Sequence, residues 1–267
     1  MPEGHTIHRL ARDVSKDLRG QVVRTAHRQD RFAEGARHLD GRVLDRSSAH
    51  GKHLFLHWAE SDERAAEILH IHLGLFGKFR RHTDPLPEPS DALRIRLCGL
   101  DVAWDLTGAI TCRLRGPDVL DEVARSLGPD PLRRGASGEQ FIRRVRASTK
   151  PIGALLLDQG VIAGIGNVYR AEILHLTGVH PATAGKDLTD EQVREIWDVT
   201  VEQLRLGVKR DRIVTVPMRG RRLASMTREN SVFVYKQADC RTCGAPVEHS
   251  DIGGRNMFAC PRCQPAA

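Results

Sequence analysis

The first four residues, Met1-Pro2-Glu3-Gly4, contain a candidate nucleophile. Removal of Met1 would leave Pro2 as a terminal secondary amine, with the Glu3 carboxylate immediately beside it. A free amine can attack carbon and form an iminium, which is the covalent route open to amine nucleophiles. Proline also suits the first turn of a helix for structural reasons. The pattern alone leaves a catalytic Pro2 and an ordinary helix start both open.

Four cysteines near the end of the chain have the spacing of a metal site. Two Cys-x2-Cys pairs are separated by 16 residues, as in four-thiolate zinc sites. The ligands would be Cys240, Cys243, Cys260 and Cys263. Because four protein ligands leave no open position, the pattern predicts one structural Zn²⁺. The other cysteines, Cys98 and Cys112, are predicted to be packing residues.

The segment between the two cysteine pairs is predicted to form a hairpin over 252–259. Its tip carries Gly253-Gly254-Arg255-Asn256. A guanidinium on a metal-braced hairpin suits the binding of a phosphate group.

Four further stretches have residue types suited to nucleic-acid chemistry. Lys52 is expected at a turn before a strand, where a lysine is either solvated or held over a site. His70 and His72 are expected on one face of a strand, without metal-ligand spacing. The apolar turn containing Leu75 either packs or inserts between bases. The glycine-rich turn that ends at Asn167 can present amides to phosphate or simply join two helices.

Composition favours a polyanionic partner. The formal charge is +7 and the pI about 9.4, which favours nucleic acid, although a basic enzyme without that partner stays open. Residues 205–228 contain eight basic residues and one acid, which indicates a mobile or DNA-facing loop, or a solvated run. No apolar run has the length of a membrane span or signal peptide, so we expect a cytoplasmic protein without a membrane partner.

The elements that would position these residues follow from periodicity and turn signals. Residues 2–18 have the apolar spacing of a helix that ends near Gly20. Short strands are predicted at Arg42–Leu44, His53–Trp58, Ile68–Leu73, Arg94–Leu97 and Asp101–Trp104. Helices are predicted at Glu139–Arg146, Pro151–Gln159, Val168–Leu176 and from the Thr189 cap to Gly207.

Four motifs carry a resemblance to a known family: the Pro-Glu start, Gly51-Lys52 before a strand, Gly-Ile-Gly-Asn-Val-Tyr-Arg-Ala-Glu at 164–172, and the final cysteines. Through them, the sequence resembles the Fpg/Nei DNA glycosylases over essentially the whole chain. The resemblance is greatest to the actinobacterial Nei proteins that begin Pro-Glu-Gly-His-Thr. It implies an α+β fold with an N-terminal β-sandwich flanked by helices, a helix-two-turn-helix domain and a four-cysteine zinc finger. We accordingly expect a catalytic domain at 1–115, a linker at 116–137, the helical domain at 138–231 and the finger at 232–267.

The resemblance also implies roles for matching residues. Pro2 would be the Schiff-base nucleophile, Glu3 the general acid/base, Lys52 a phosphate contact and proton donor, Asn167 a phosphate contact, and Arg255 a phosphate contact linked to δ-elimination. We also expect His72 and Leu75 to touch the DNA. Thr6 stands where the family usually has a second glutamate.

The expected function is that of a base-excision-repair bifunctional DNA glycosylase/AP lyase. It would act as a monomer on damaged double-stranded DNA, favour oxidised pyrimidines, and proceed by β,δ-elimination. Two alternatives stay open: an Fpg-type enzyme directed at 8-oxoguanine, and a zinc-finger nucleic-acid-binding protein without catalysis.

Overall fold

A computed structural model describes residues 2–61, 65–218, 220–227 and 229–266. The chain divides into two compact units. The first contains Pro2 and Ile7–Arg125, and the second contains Glu3–Thr6 and the residues from Ser126 onward. Within the described ranges, every helix is too short or too polar to cross a bilayer.

The described residues of the first unit form eight antiparallel strands and three α-helices. The strands are β1 (Val22–Ala26), β2 (Arg42–His50), β3 (His53–Trp58), β4 (Glu67–His72), β5 (Lys78–Thr83), β6 (Leu93–Cys98), β7 (Val102–Thr107) and β8 (Thr111–Arg115). The helices are α1 (Gly4–Leu18), whose first residues belong to the second unit, α2 (Ala33–Leu39) and α3 (Val119–Ser126).

Strand β1 joins two four-stranded layers. The strand order is β5-β7-β6-β1-β2-β3-β4-β8. The first half of β1 pairs with β2, at Val22 opposite Val43, whereas its second half pairs with β6, at Thr25 opposite Leu97. A strand that changes partners along its length lets one sheet continue into a second layer. The predicted β-sandwich is therefore confirmed.

The core of this unit comes from the alternating faces of its strands and from α1. Leu54 and Leu56 of β3 and Leu69 and Ile71 of β4 belong to one buried cluster. The predicted apolar face of α1 supplies Ile7, Ala11, Val14 and Leu18 to the same cluster. This helix begins at Gly4 rather than at residue 2, so Pro2 precedes it.

Several elements differ from the sequence prediction. Strands β1, β5 and β8 and helix α2 were not predicted, and β2 extends six residues beyond Leu44, to His50. Strand β5 pairs only with β7 at the sheet edge and buries only Phe79, which leaves no alternating apolar pattern to detect. The proposed linker 116–137 contains α3, which buries Val119 and Val123.

The second unit contains four α-helices and one hairpin within its described residues. They are α4 (Glu139–Arg146), α5 (Ile152–Leu155), α6 (Asn167–Leu176), α7 (Asp190–Arg210), β9 (Glu248–Asp251) and β10 (Asn256–Ala259). A single buried cluster contains residues of α4, α6 and α7 together with Met257 and Phe258 of β10. The segments 138–231 and 232–267 thus share a hydrophobic core.

Two predicted helix ends are wrong. The helix predicted over Pro151–Gln159 stops at Leu155, because the Gln159 side chain bonds to Leu157 O, Ile165 O and Gly164 N and so stabilises a turn. Thr189 caps α7 as predicted, but the helix continues through Gly207 to Arg210 and ends at Asp211, which has a φ of 58°.

Candidate functional site

The Glu3 carboxylate lies at the N-terminal end of α6. Gly166 N donates to its Oε2 at 2.7 Å, and Val168 N donates to its Oε1 at 3.0 Å. Glu3 is fully buried. The first amides of a helix have no intrahelical partner and carry partial positive charge, so a carboxylate is stabilised there. Although Glu3 is remote in sequence, the structure makes it part of the glycine-rich turn.

Glycines allow this close approach. A Cβ on Gly166 would lie 2.5 Å from Glu3 Cδ. A Cβ on Gly4 would lie 2.9 Å from Gly164 Cα, across the 2.7 Å bond from Gly4 N to Gly164 O. The glycines at 4, 164 and 166 thus bring the backbone beside Glu3 against the turn.

His5 and Thr6, where the chain departs from the usual family start, have structural contacts. His5 is buried with its ring edge-on to Tyr169, and burial lowers its pKa to about 4, so it is neutral at pH 7. Thr6 Oγ1 lies 3.2 Å from His5 Nε2. A Cβ on Gly207 would lie 2.9 Å from His5 Cγ, which explains a glycine inside α7.

Asn167, the first residue of α6, contacts the hairpin rather than facing outward. Its Nδ2 donates to Asn256 O at 3.0 Å, and its Oδ1 accepts from Arg170 at 2.5 Å. Asn256 follows Arg255 in the chain. The structure therefore brings the predicted turn asparagine to the hairpin that carries the predicted arginine.

Arg170, which the sequence interpretation missed, connects these groups. One terminal nitrogen donates to Gly153 O and Ile252 O, at 3.2 and 2.7 Å. The other donates to Asn167 Oδ1, Arg255 O and Asn256 O, at 2.5, 3.3 and 3.1 Å. Burial, together with the charge of Arg255, lowers the pKa of Arg170 to about 10, which leaves it charged at pH 7. No local pattern marked this arginine in the sequence, because α6 also contains Asn167, Glu172 and His175.

Glu172 is a second missed residue. Its buried carboxylate accepts the backbone N–H groups of Phe233, Val234 and Tyr235, at 2.7 to 2.9 Å. The Thr215 hydroxyl donates to it at 2.5 Å. Glu172 thus fixes the segment that leads into the cysteine pairs against α6.

The four predicted cysteine ligands are brought together. The Sγ atoms of all four lie within 4.8 Å of one another, with 3.9 Å between Cys240 and Cys263 and 3.4 Å between Cys243 and Cys260. A tetrahedral ion with metal–sulfur bonds of about 2.3 Å requires sulfur–sulfur distances of ~3.8 Å. The cluster therefore fits a metal ion. The adjoining hairpin places exposed Arg255 at its tip, after Gly253 and Gly254 with φ of 69° and 70°.

The remaining candidates belong to the first unit. Pro2 is half-buried, and Lys52 lies in the turn between β2 and β3. His72 ends β4, and its Nδ1 accepts from Gly74 N at 3.1 Å. Leu75 follows in an exposed turn, with 50% of its surface accessible.

Lys52 adjoins a group of neutral histidines. His53 Nδ1 lies 2.9 Å from His70 Nε2, and the His53 and His72 rings are 4.7 Å apart. Burial, reinforced by neighbouring histidines and Lys52, lowers the pKa of His53 to about 3. Burial also lowers the pKa of His70, to about 4. Across the described ranges only the cysteines, and not these rings, form a metal-sized cluster.

The described residues of the basic segment 205–228 include the end of α7 and a loop with contacts of its own. Its first residues, through Arg210, continue α7, while Arg212 donates to Leu223 O and Met226 O. Val214, Val216 and Met226 form a small buried cluster. Of the residues that the sequence predictions include, Met1, Arg219 and Arg228 lie outside the described ranges.

Comparison with known proteins gives one consistent assignment. Models described as the formamidopyrimidine-DNA glycosylase N-terminal domain and H2TH domain match residues 1–105 and 127–217. Endonuclease 8 1 of Mycobacterium tuberculosis is 41% identical over 273 residues, covering 99% of this chain and 100% of the relative. The formamidopyrimidine-DNA glycosylase of Streptococcus pneumoniae is 28% identical over 278 residues, covering 99% of each chain.

A solved structure agrees with these relatives. Lactococcus lactis Fpg, in a complex with DNA containing N7-benzyl-Fapy-dG, has a TM-score of 0.82 and 25% identity. The alignment covers 99% of this chain and 100% of the Lactococcus chain. With matches of this extent at both the sequence and structural level, the chain belongs to the Fpg/Nei family of DNA glycosylases.

Proposed function

We propose that this chain is a bifunctional DNA glycosylase/AP lyase that removes oxidised bases from double-stranded DNA in base-excision repair. The observation that carries the proposal is the Glu3 carboxylate, fixed by the amides of Gly166 and Val168 and covalently adjacent to Pro2. The named activities of the related endonuclease 8 and formamidopyrimidine-DNA glycosylase support the same reaction. We further propose that the enzyme acts as a monomer in the cytoplasm.

In the proposed reaction, the damaged nucleotide leaves the base stack, since C1′ is inaccessible inside the duplex. The Pro2 nitrogen, freed by removal of Met1, attacks C1′ as the C1′–base bond breaks, and the base departs with the proton that the Pro2 nitrogen loses. The C1′–O4′ bond then breaks, O4′ takes a proton from Glu3 as the sugar ring opens, and C1′ is left doubly bonded to the Pro2 nitrogen as an iminium. The resulting iminium acidifies the C2′ proton. Loss of that proton expels the 3′ phosphate, a second elimination expels the 5′ phosphate, and hydrolysis frees Pro2.

Glu3 is proposed as the acid/base group of these steps. Proton transfer needs a positioned group near the reacting atoms. The carboxylate is held by backbone amides rather than by mobile side chains, so its orientation relative to the Pro2–Glu3 peptide is fixed. Gly166 permits that arrangement because its missing Cβ leaves the room that Glu3 Cδ occupies.

The proposed phosphate contacts are Lys52, Asn167 and Arg255. A lysine or arginine beside a leaving phosphate neutralises charge that develops in the transition state. Asn167 and the Arg255 backbone share Arg170 as a hydrogen-bond donor, so the turn and hairpin can be presented to DNA as one surface. His72 and Leu75 are proposed as further DNA contacts from the first unit.

We propose Zn²⁺ as the occupant of the cysteine cluster. Four thiolates are the ligand set of structural zinc, and the four sulfur atoms lie close enough together to share one ion. Such an ion supplies no catalytic chemistry, because no position is open to water or substrate; it stabilises the fold around it.

Oxidised pyrimidines are the proposed preferred lesions. The higher identity to an endonuclease 8 than to a formamidopyrimidine-DNA glycosylase supports this preference, at 41% against 28%. Excision rates on matched duplexes containing an oxidised pyrimidine or 8-oxoguanine test it. A faster rate on 8-oxoguanine would favour the Fpg-type alternative.

Borohydride trapping tests the enzyme proposal itself. Wild-type protein incubated with an abasic-site duplex and borohydride should form a covalent adduct. Pro2→Gly, and a form that retains Met1, should lose most of it. Duplex binding without an adduct, by protein whose terminus is confirmed as Pro2, would favour the non-catalytic alternative.

A further inference from the structure

The first unit has an open cavity of about 770 Å³ that none of the proposed catalytic residues lines. It lies between the segment after β1, the start of β6 and the turn between β7 and β8. Its charged lining consists of Arg28, Arg31 and Arg94 against Asp30. The cavity is therefore positively charged.

Arg94 brings a guanidinium with few protein partners to this cavity. It is only 8% exposed, yet its one hydrogen bond among the described residues runs from Nε to Gln29 Oε1, at 3.1 Å. No carboxylate in the described ranges lies within ion-pair distance of it. The terminal N–H groups of Arg94 have no protein partner among the described residues, and Arg94 lines the open cavity, so these groups can donate to a ligand there.

Two exposed arginines, Arg28 and Arg31, add positive charge at the mouth of the cavity. Arg28 lies 3.9 Å from Glu88, but that carboxylate is 95% exposed, and an exposed pair at this distance contributes little. Arg31 has no ion-pair partner among the residues described. Both guanidinium groups are therefore available to an incoming anion.

The cavity adjoins the turn that carries the proposed DNA contact Leu75. Ile110 lines the cavity and is 71% exposed. A Cβ on Gly74 would lie 2.8 Å from Ile110 Cγ2, so Ile110 stands directly against this turn. Phe76, in the same turn, is 83% exposed. A duplex that meets Leu75 would thus pass beside the mouth of the cavity.

We propose that the cavity binds a backbone phosphate of the DNA, with Arg94 as the buried donor and Arg28 and Arg31 at the rim. Guanidinium groups match phosphate oxygens through paired N–H donors. Three arginines converging on one open cavity supply that recognition without any base contact. The inference rests on the proposed function and adds a phosphate subsite to it.

The test is equilibrium binding of an undamaged duplex as salt is varied from about 50 to 200 mM. Arg94→Met and the double variant Arg28→Met/Arg31→Met should each weaken binding about tenfold at low salt. Each should also lower the slope of log K against log salt by about 1 for every phosphate that the variant no longer neutralises. Arg125→Met removes one charge, as Arg94→Met does, at the exposed end of α3; it should change the affinity by no more than about twofold and leave the slope unchanged.

The double variant changes only exposed side chains, so it tests the proposal even if Arg94→Met fails to fold. Affinities and slopes equal to those of Arg125→Met would overturn the phosphate site. A second result would also overturn it. If inorganic pyrophosphate raised the melting temperature of wild type but not of Arg94→Met, while the two proteins bound the duplex equally well, the cavity would be a site for a free anion rather than for a DNA phosphate. Borohydride trapping of wild type on an abasic duplex separates failure of this inference from failure of the enzyme proposal.

Discussion

Replacing Arg170 with methionine should remove most of the hydrogen bonds that join the turn at Asn167 to the hairpin, leaving the bond from Asn167 Nδ2 to Asn256 O. Methionine retains much of the buried volume but donates no hydrogen bond. Arg170 is fully buried and donates to five acceptors. Two of these acceptors would still be hydrogen-bonded in the variant. Asn256 O also accepts from Asn167 Nδ2, and Arg255 O also accepts from Ile252 N.

Three acceptors would lose the partner that the described residues provide: Gly153 O, Ile252 O and Asn167 Oδ1. An unsatisfied buried acceptor costs about 1–3 kcal/mol. Removing a buried charge offsets part of that sum, as the lowered pKa of Arg170 indicates. We therefore expect a loss of about 3–5 kcal/mol in the free energy of unfolding of the second unit.

Urea unfolding followed by circular dichroism measures this loss, and hydrogen exchange in β9 and β10 localises it. The matched control is Arg194→Met, whose ion pair with Glu139 is exposed at 3.7 Å and should contribute at most about 0.5 kcal/mol. Exchange should accelerate in the hairpin of Arg170→Met but not in the control. A destabilisation below about 1 kcal/mol, with unchanged exchange in the hairpin, would refute the role given to Arg170.

Three further predictions concern other parts of the molecule. Gly166→Ala should displace the Glu3 carboxylate, because the new Cβ would lie 2.5 Å from Glu3 Cδ. The rate of single-turnover base excision should fall at least tenfold, which corresponds to a rise of about 1.4 kcal/mol or more in the activation free energy. An unchanged rate would contradict the role of Glu3. With pKa values of about 3 and 4, His53 and His70 stay neutral while the unfolded chain gains protons below about pH 6.5. Stability should consequently fall as pH drops from 6.5 toward 4, by at most about 1.4 kcal/mol per pH unit for each histidine, and the double variant His53→Asn/His70→Asn should flatten that dependence. Removing metal with a strong chelator, or changing Cys243 to serine, should lower the melting temperature and weaken duplex binding; a metal-free protein that melts and binds like wild type would exclude structural zinc.

Features with a local chemical cause were predictable from the sequence. Thr189 and Gln192 form the capping box of α7. A threonine followed three residues later by a glutamine is the sequence pattern of this motif. The bounds of α4 follow from its apolar periodicity. The four cysteines converge as their spacing indicates, since two Cys-x2-Cys pairs can close one tetrahedron.

Features fixed by tertiary contacts were not predictable. Arg170 and Glu172 have partners about 60 to 85 residues away, and no local pattern specifies those bonds. The exposed edge strand β5 lacks an alternating apolar pattern. The sequence indicated a helix end at Gly207, because glycine commonly ends helices. The actual reason for the glycine is the side chain of His5, which leaves no room for a Cβ there and is distant in sequence.

The identity of the nucleophilic nitrogen is the central claim, and one measurement tests it directly. The borohydride-reduced adduct with an abasic duplex would be digested and its cross-linked peptide sequenced by mass spectrometry. The proposed mechanism predicts the sugar remnant on the nitrogen of Pro2, in a peptide that lacks Met1. A remnant on the side chain of Lys52, or of any other lysine, would contradict it.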